Sequence, residues 1–292
     1  MAGVRIRSKK GHFIWLTILL LVAGTGARAQ TLRDQDLLSG FRSLYELKFA
    51  KARSTFRAWE VNHSDDPKGP AAEAASYLFE EFYRQGVLTS QFFLDDKRLL
   101  NGIGGKPDPE LGTAFQRSIT HAQNLAMRRL EINPEDADAL FALTITRGMQ
   151  ANYAGVIEKH QLQSIKYIQR AESYANKLLS FEPDAQDVLV ALGASNYIIG
   201  CLPGYKKFFL FFGGIHGDKQ EGMRQLAMAG AHGYYLRPYA KILLALAALR
   251  EKQQSLARTQ LEELVAEFPS NPLFARELSS LNRVPMQVRT DP

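Results

Sequence analysis

Apolar residues recur along most of this chain at spacings of three and four, the period of an α-helix with one buried face. No segment alternates between apolar and polar residues as a half-buried strand would. The pattern therefore predicts an all-α protein. The predicted helices are a hairpin over 34–61 and single helices over 71–85, 111–132, 135–152, 157–181, 184–199, 218–230, 234–251, 254–267 and 271–281.

Three stretches share one skeleton, in which an alanine is followed after twelve residues by a proline and after nine more by a leucine. Recurring spacing of this length is typical of stacked helical hairpins. The small alanine suits a close crossing of two helices, and the proline ends one helix and suits the first turn of the next. The copies are Ala122–Pro134–Leu143, Ala171–Pro183–Leu192 and Ala257–Pro269–Leu278.

These positions resemble the tetratricopeptide repeat (TPR) family. The family's large residue, leucine and small residue are matched by Leu189, Leu192 and Gly193, and its second helix by Ala257, Leu261, Leu264 and Pro269. Degenerate copies are Gly222–Leu226–Ala229 and Ala52–Phe56–Trp59 with Pro67. The resemblance implies a right-handed α-solenoid over residues 30–283, with irregular insertions at 87–111 and 200–217 and a loose tail at 284–292.

In TPR proteins the first helix of each hairpin lines a concave groove. By the resemblance, the groove-lining positions here are Phe141, Ile145, Val190, Ala194, Ile242 and Leu246. Members that grip a peptide carboxylate carry lysine and asparagine at such positions, whereas these are apolar, so that activity is not carried over. The groove is expected either to be filled by the protein's own segments or to accept something apolar.

The first 29 residues have the pattern of a secretory signal peptide. Basic residues (Arg5, Arg7, Lys9 and Lys10) precede an apolar run at 13–23 that is about half the length of a membrane-spanning helix, and Ala27-Arg28-Ala29 suits cleavage before Gln30. An uncleaved amino-terminal anchor is the alternative. No cysteine lies directly after the run, where a lipid would be attached, so we expect an exported protein of the periplasm or the extracellular space without a lipid anchor.

Removal of the predicted signal peptide changes the net charge of the protein. Residues 1–29 hold five basic and no acidic residues, so their removal lowers the formal net charge from +6 to +1 and leaves nothing basic to attract nucleic acid. The one cysteine, Cys201, excludes an internal disulfide and lies among apolar residues, which predicts a small buried side chain rather than a reactive thiol.

Motifs that carry chemistry are missing from the sequence. There is no phosphate-binding loop, nucleophile elbow or pair of histidines at metal-ligand spacing, so we expect no catalytic residue, metal or cofactor. His216 with Asp218 is the nearest approach to a catalytic pair. We expect Asp218 instead to cap the following helix.

The run Phe208-Phe209-Leu210-Phe211-Phe212 is the most unusual local feature. Five consecutive large apolar residues cannot all face the core from one amphipathic helix. The run either plugs a gap between widely spaced helices or forms a pocket wall or docking patch, whose candidate residues are Phe208, Phe209, Phe211 and Phe212. Lys206 and Lys207 beside it also suit contact with a membrane surface.

The sequence favours a non-enzymatic protein-interaction scaffold of the bacterial cell envelope, with a protein partner. The alternative is a periplasmic binding protein for a lipid or other apolar small molecule, similar in general design to TPR proteins associated with TRAP-type transporters. An enzyme would need ionisable groups brought together from distant positions, and no spacing in the sequence suggests such a cluster.

Overall fold

The computed structural model describes residues 35–202 and 216–283, and the regular elements in these ranges are all helical. They are α1 (35–45), α2 (Phe49–Asn62), α3 (Lys68–Arg84), α4 (Ser90–Leu94), α5 (Asp96–Asn101), α6 (Pro109–Ile132), α7 (Ala137–Asn152), α8 (Gln161–Phe181), α9 (Leu189–Cys201), α10 (Lys219–His232), α11 (Arg237–Arg250), α12 (Gln254–Glu267) and α13 (Pro272–Arg283). A π-helical turn follows α7 at Tyr153–Ile157, and a 3-10 turn precedes α9 at Gln186–Val188. The predicted all-α class is confirmed.

Consecutive helices pack as neighbours, so the array is an α-solenoid, as predicted. The most extensive packing joins α3 with α6, α7 with α8, α9 with α10 and α11 with α12, and each pair packs on the next along the chain. Both insertions therefore fall inside a hairpin, between its first and second helix. The skeleton alanines Ala122, Ala171 and Ala257 are at most 3 % exposed, as expected for close helix crossings.

The prolines of the skeleton lie in the turns between hairpins, and the expectation that they occupy a first helical turn is wrong. After Pro134, α7 begins at Ala137, because Asp136 at the end of the turn accepts a hydrogen bond from the amide of Ala139. Such an N-cap satisfies a backbone donor that a helix start leaves free. Asp218 caps α10 in the same way, through the amide of Glu221, and that prediction is confirmed.

The first insertion is ordered rather than irregular, which corrects the prediction for 87–111. It contains α4 and α5, and the aspartate Asp95 caps α5. Its far end docks on the π-helical turn, where the amide of Ile103 donates to the carbonyl of Val156 at 2.9 Å. Gly102 permits this approach, since its φ is 70° and a Cβ would lie 2.3 Å from that carbonyl oxygen.

The two ends of the array meet. From α1, Tyr45 donates to the backbone carbonyl of Tyr235 at 3.0 Å, and its ring packs on Phe268. Asn271 donates in turn to the carbonyl of Tyr45 at 2.7 Å. The insertion helix α4 joins this contact, because the amide of Ser90 donates to Glu277 of α13. The first helix therefore closes the solenoid against its last three helices.

The predicted signal peptide (1–29) and tail (284–292) lie outside the described residues, as does most of the second insertion, 203–215. Within the described ranges, none of the helices is both long and apolar enough to cross a membrane.

Candidate functional site

Closure of the array leaves a cavity at its centre. The cavity has a volume of ≈ 180 Å³ and is lined by the inner helices α1, α3, α7, α9 and α11, with a contribution from α8. Its walls are mostly aliphatic and aromatic side chains. An interior space of this kind is the usual location of a small-molecule site, whereas an open groove is the usual location of a peptide site.

Small residues on the inner faces explain why the space exists. In α3 the wall includes Ala75, and in α7 it includes Gly148. No heavy atom lies within 4 Å of where a Cβ of Gly148 would be. Because close-packed interiors rarely keep voids larger than a water molecule, alanine and glycine on facing helices leave room that no neighbour fills.

Polar groups at the cavity wall are already engaged by the protein. Thr144 donates to the carbonyl of Leu140 at 2.8 Å, and Ser195 donates to the carboxylate of Glu172. Burial raises the pKa of Glu172, and the hydrogen bond from Ser195 partly offsets this effect. The polar atoms point into these bonds, so the cavity offers a ligand mainly apolar surface.

Asp187 stands at the edge of the cavity and organises the loop between α10 and α11. Its carboxylate accepts the backbone amides of Tyr234, Tyr235 and Leu236 at 2.9 to 3.0 Å. Burial raises the pKa of Asp187, and the three amides act in the opposite direction. The same loop carries the carbonyl that receives the Tyr45 phenol, so Asp187 fixes the surface on which α1 closes.

The pKa of Tyr239 indicates that the interior has low polarity. Its pKa is raised to about 12 by desolvation, and a hydrogen bond from Asn152 lowers it only in part. Part of the side chain is nonetheless accessible, and it lines the cavity. The accessible part therefore faces the cavity rather than bulk water.

A second, smaller cavity of ≈ 80 Å³ lies between α1, α3, α4, α11, α12 and α13. Its wall is leucine and phenylalanine with a few polar residues. Two of these polar residues are hydrogen-bonded within the protein. Asn271 donates to the carbonyl of Tyr45 and accepts from the amide of Leu273, and Glu277 accepts from the amide of Ser90. The space is mostly apolar and lies beside the contacts that join the two ends of the array.

The structure divides the six groove positions predicted from the sequence between two cavities and a cleft. Ile145, Val190 and Ala194 line the central cavity. Ile242 and Leu246 line the second cavity, and Phe141 packs its ring on Tyr235, 6.0 Å away, beside a solvent-open cleft. The candidate patch Phe208, Phe209, Phe211 and Phe212, with Lys206 and Lys207, lies outside the described residues.

Residues that sequence reasoning missed form the opposite wall. These are the α3 alanines and, from α1, Phe41 and Leu44. The run Ala71-Ala72-Glu73-Ala74-Ala75 is a signal that could have found the first group, because small residues on consecutive turns of a helix favour either close packing or open space. No local signal places α1 opposite α9.

Two other clefts, of ≈ 260 and ≈ 370 Å³, open to solvent and are bordered by charged residues. Their charges serve the fold. Lys68, at the rim of the larger cleft, is 7 % exposed and pairs with Asp138 at 2.7 Å, and Arg237 at the smaller one pairs with Glu267 at 2.6 Å. We therefore place the candidate site in the two apolar cavities.

Across residues 35–202 and 216–283, no three histidine, cysteine, aspartate or glutamate side chains are placed to hold a metal ion. Cys201 is half-buried beside the Tyr197 phenol, so it is more accessible than the small buried side chain that was predicted. Asp218 is engaged as a helix cap, which gives it a structural role next to His216.

No protein-family profile matches the chain. No curated protein matches it either.

Proposed function

We propose that this protein binds an apolar small molecule in its central cavity and performs no chemistry on it. The observation that carries the proposal is a ≈ 180 Å³ space at the centre of the solenoid whose wall is apolar and whose polar neighbours are engaged within the protein. Binding would transfer apolar ligand surface out of water without stripping water from unsatisfied polar groups.

The size of the cavity supports this role. An engineered apolar cavity of about 150 Å³ stays dry and takes up benzene, so the central cavity suits a ligand group of that size or somewhat larger. Leaving such a volume empty costs on the order of 4 kcal/mol, at about 24 cal/mol per Å³. A natural fold tolerates that free-energy cost more readily when a bound ligand offsets it.

We further propose that the chain is a TPR protein and that it is exported. The first idea is supported by three hairpins that begin after a proline, two of them after Pro134 and Pro183 of the repeated skeleton and one after Pro67 of a degenerate copy. The second rests on the amino-terminal pattern of basic, apolar and small residues. Cell fractionation with mass analysis of the amino terminus tests it: a chain beginning at Gln30 in the periplasm or medium is expected, and an intact chain in the cytoplasm would refute it.

The test of cavity binding uses toluene as a compact apolar probe. Toluene at about 100 times its dissociation constant should stabilise the protein by roughly 2.7 kcal/mol, read as a rise in melting temperature. Gly148→Leu should abolish the rise, because the new side chain occupies the empty space, and Gly148→Ala should reduce it only partly. Equal rises in all three proteins, or none in the wild type, would refute the proposal.

A protein-interaction scaffold is the second candidate, and one observation favours it. Val61 and Ile132, at the carboxyl ends of the outer helices α2 and α6, are 81 % and 87 % exposed. Exposed aliphatic side chains on an outer face suit a protein partner, although single ones are common on any surface. A stoichiometric partner that co-purifies with the wild type and is lost from Val61→Ser/Ile132→Ser would support the scaffold, and unchanged co-purification would exclude this surface.

A further inference from the structure

The wall between the two apolar cavities is one side chain thick. Several residues line both cavities at once, among them Leu44, Phe79, Tyr239 and Leu243. A side chain that borders two spaces has no second layer of packing behind it. The two cavities are therefore neighbouring chambers of one apolar interior, separated by this single layer.

Phe79 and Tyr239 form the part of the wall between the two cavities that can move aside. Their rings meet edge to face, with centroids 5.3 Å apart. Both side chains are only half-buried although they stand in the interior, so each presents surface to the chambers. A hydrogen bond from Asn152 holds the Tyr239 phenol, whereas Phe79 has no polar anchor and has empty space beside it. A rotamer change of Phe79 would open a passage about one ring wide.

The central chamber has one exposed residue in its wall. Ile198 lines the central chamber and is 38 % exposed, so the central chamber approaches the surface beside the carboxyl end of α9. The small chamber lies behind the contact of α1 and α4 with α11 and α13, and none of its described lining residues is as exposed as Ile198. Its Asn271 and Glu277 are engaged within the protein. A ligand would enter at the Ile198 side, and the small chamber suits an end with no polar group.

We propose that the two chambers together bind one unbranched hydrocarbon chain, such as the tail of a fatty acid. The chain passes between Phe79 and Tyr239, with its methyl end in the small chamber and its polar end toward Ile198. This inference rests on the proposed function and specifies its ligand. A compact molecule would fill the central chamber alone, whereas a flexible chain fits through a narrow passage and occupies both.

A series of saturated fatty acids, from hexanoic through decanoic to tetradecanoic acid, tests the proposal by calorimetric titration. Each methylene that becomes buried raises affinity by roughly fourfold, so affinity should climb by at least about tenfold along the series. Leu246→Phe fills the small chamber without touching the central one. It should flatten the dependence on chain length and leave hexanoic acid binding unchanged.

Two further variants keep the test decisive. Ile242→Phe fills the same small chamber, and it replaces Leu246→Phe if circular dichroism shows that the latter is unfolded. Ile145→Phe fills the central chamber and should weaken every member of the series. Affinity that does not depend on chain length, or that Leu246→Phe and Ile242→Phe leave unchanged, overturns the two-chamber proposal while toluene binding stands. If neither toluene nor any fatty acid binds, both proposals fail.

Discussion

The phenol of Tyr45 donates a hydrogen bond to the backbone carbonyl of Tyr235, 190 residues later in the chain and 3.0 Å away. This bond joins the first described helix to the loop that precedes α11. Without that junction, α1 would leave one side of the central cavity open to solvent. The central cavity therefore exists because α1 closes the array.

Tyr45→Phe should destabilise the protein by about 1–2 kcal/mol, because it removes a buried donor and keeps the packing of the ring. Chemical denaturation at neutral pH measures the change. Tyr83→Phe is the matched control, since Tyr83 is 45 % exposed and should show a change near zero. Equal effects of the two substitutions would mean that the Tyr45 contact contributes nothing specific.

Asp187→Asn should cost roughly 1–3 kcal/mol, because the amide group cannot accept all three backbone donors that the carboxylate accepts. It should also weaken toluene binding, since the loop that Asp187 holds supports the cavity wall. Asp184→Asn, three residues away and exposed, is the control for both measurements. A loss of stability without any loss of toluene binding would show that the loop does not support the cavity wall.

Gly193 and Gly222 bring α9 and α10 into backbone contact. A Cβ on Gly193 would lie 2.9 Å from the carbonyl oxygen of Gly222 and equally close to Leu226. Gly193→Ala should therefore destabilise the protein by about 1–3 kcal/mol through overpacking. Gly148→Ala, where no atom lies within 4 Å, should instead stabilise it by up to about 1 kcal/mol, since alanine favours a helix. Denaturation of the two variants in parallel distinguishes crowding from helix propensity.

Glu60 gives the stability of the protein a pH dependence of known sign. Burial raises the pKa of its carboxyl from 4.5 to about 7, repulsion by Glu73 adds to the effect and Arg57 partly offsets it. A folded-state pKa above the unfolded value stabilises the fold fully below about pH 4.5, and the contribution is lost as the pH rises through about 7.

Glu60→Gln should remove that loss. The unfolding free energy of Glu60→Gln minus that of the wild type should rise between about pH 5 and pH 8. Taking the difference cancels the titration of groups that the two proteins share. Glu262→Gln, at an exposed position of α12, should show a flat difference over the same range. A flat difference for Glu60→Gln would contradict the pKa assignment.

The helices were predictable because their apolar residues follow the helical period and their ends carry strong local signals. Helix α12 was predicted at 254–267, the bounds that the structure gives. The short helices α4 and α5 were missed, because helices of five or six residues are stabilised by packing rather than by a periodic pattern. In α4 that packing comes from Phe92, which is 4 % exposed.

The site was predictable only in part. The sequence indicated apolar inner faces at Ile145, Val190 and Ala194, but it could not indicate that α1 closes the concave side. That closure depends on contacts between segments about two-thirds of the chain apart, such as Tyr45 with Tyr235 and Asn271. Periodicity reports which face of a helix is buried and not which distant helix covers it.

Native mass spectrometry of the protein purified without detergent tests the central claim most directly. We expect the wild type to carry a small apolar adduct, or to acquire one with decanoic acid. Gly148→Leu, with the cavity filled, should show little of either. A wild type that stays bare in excess decanoic acid, or an adduct that Gly148→Leu retains in full, would contradict binding in the central cavity.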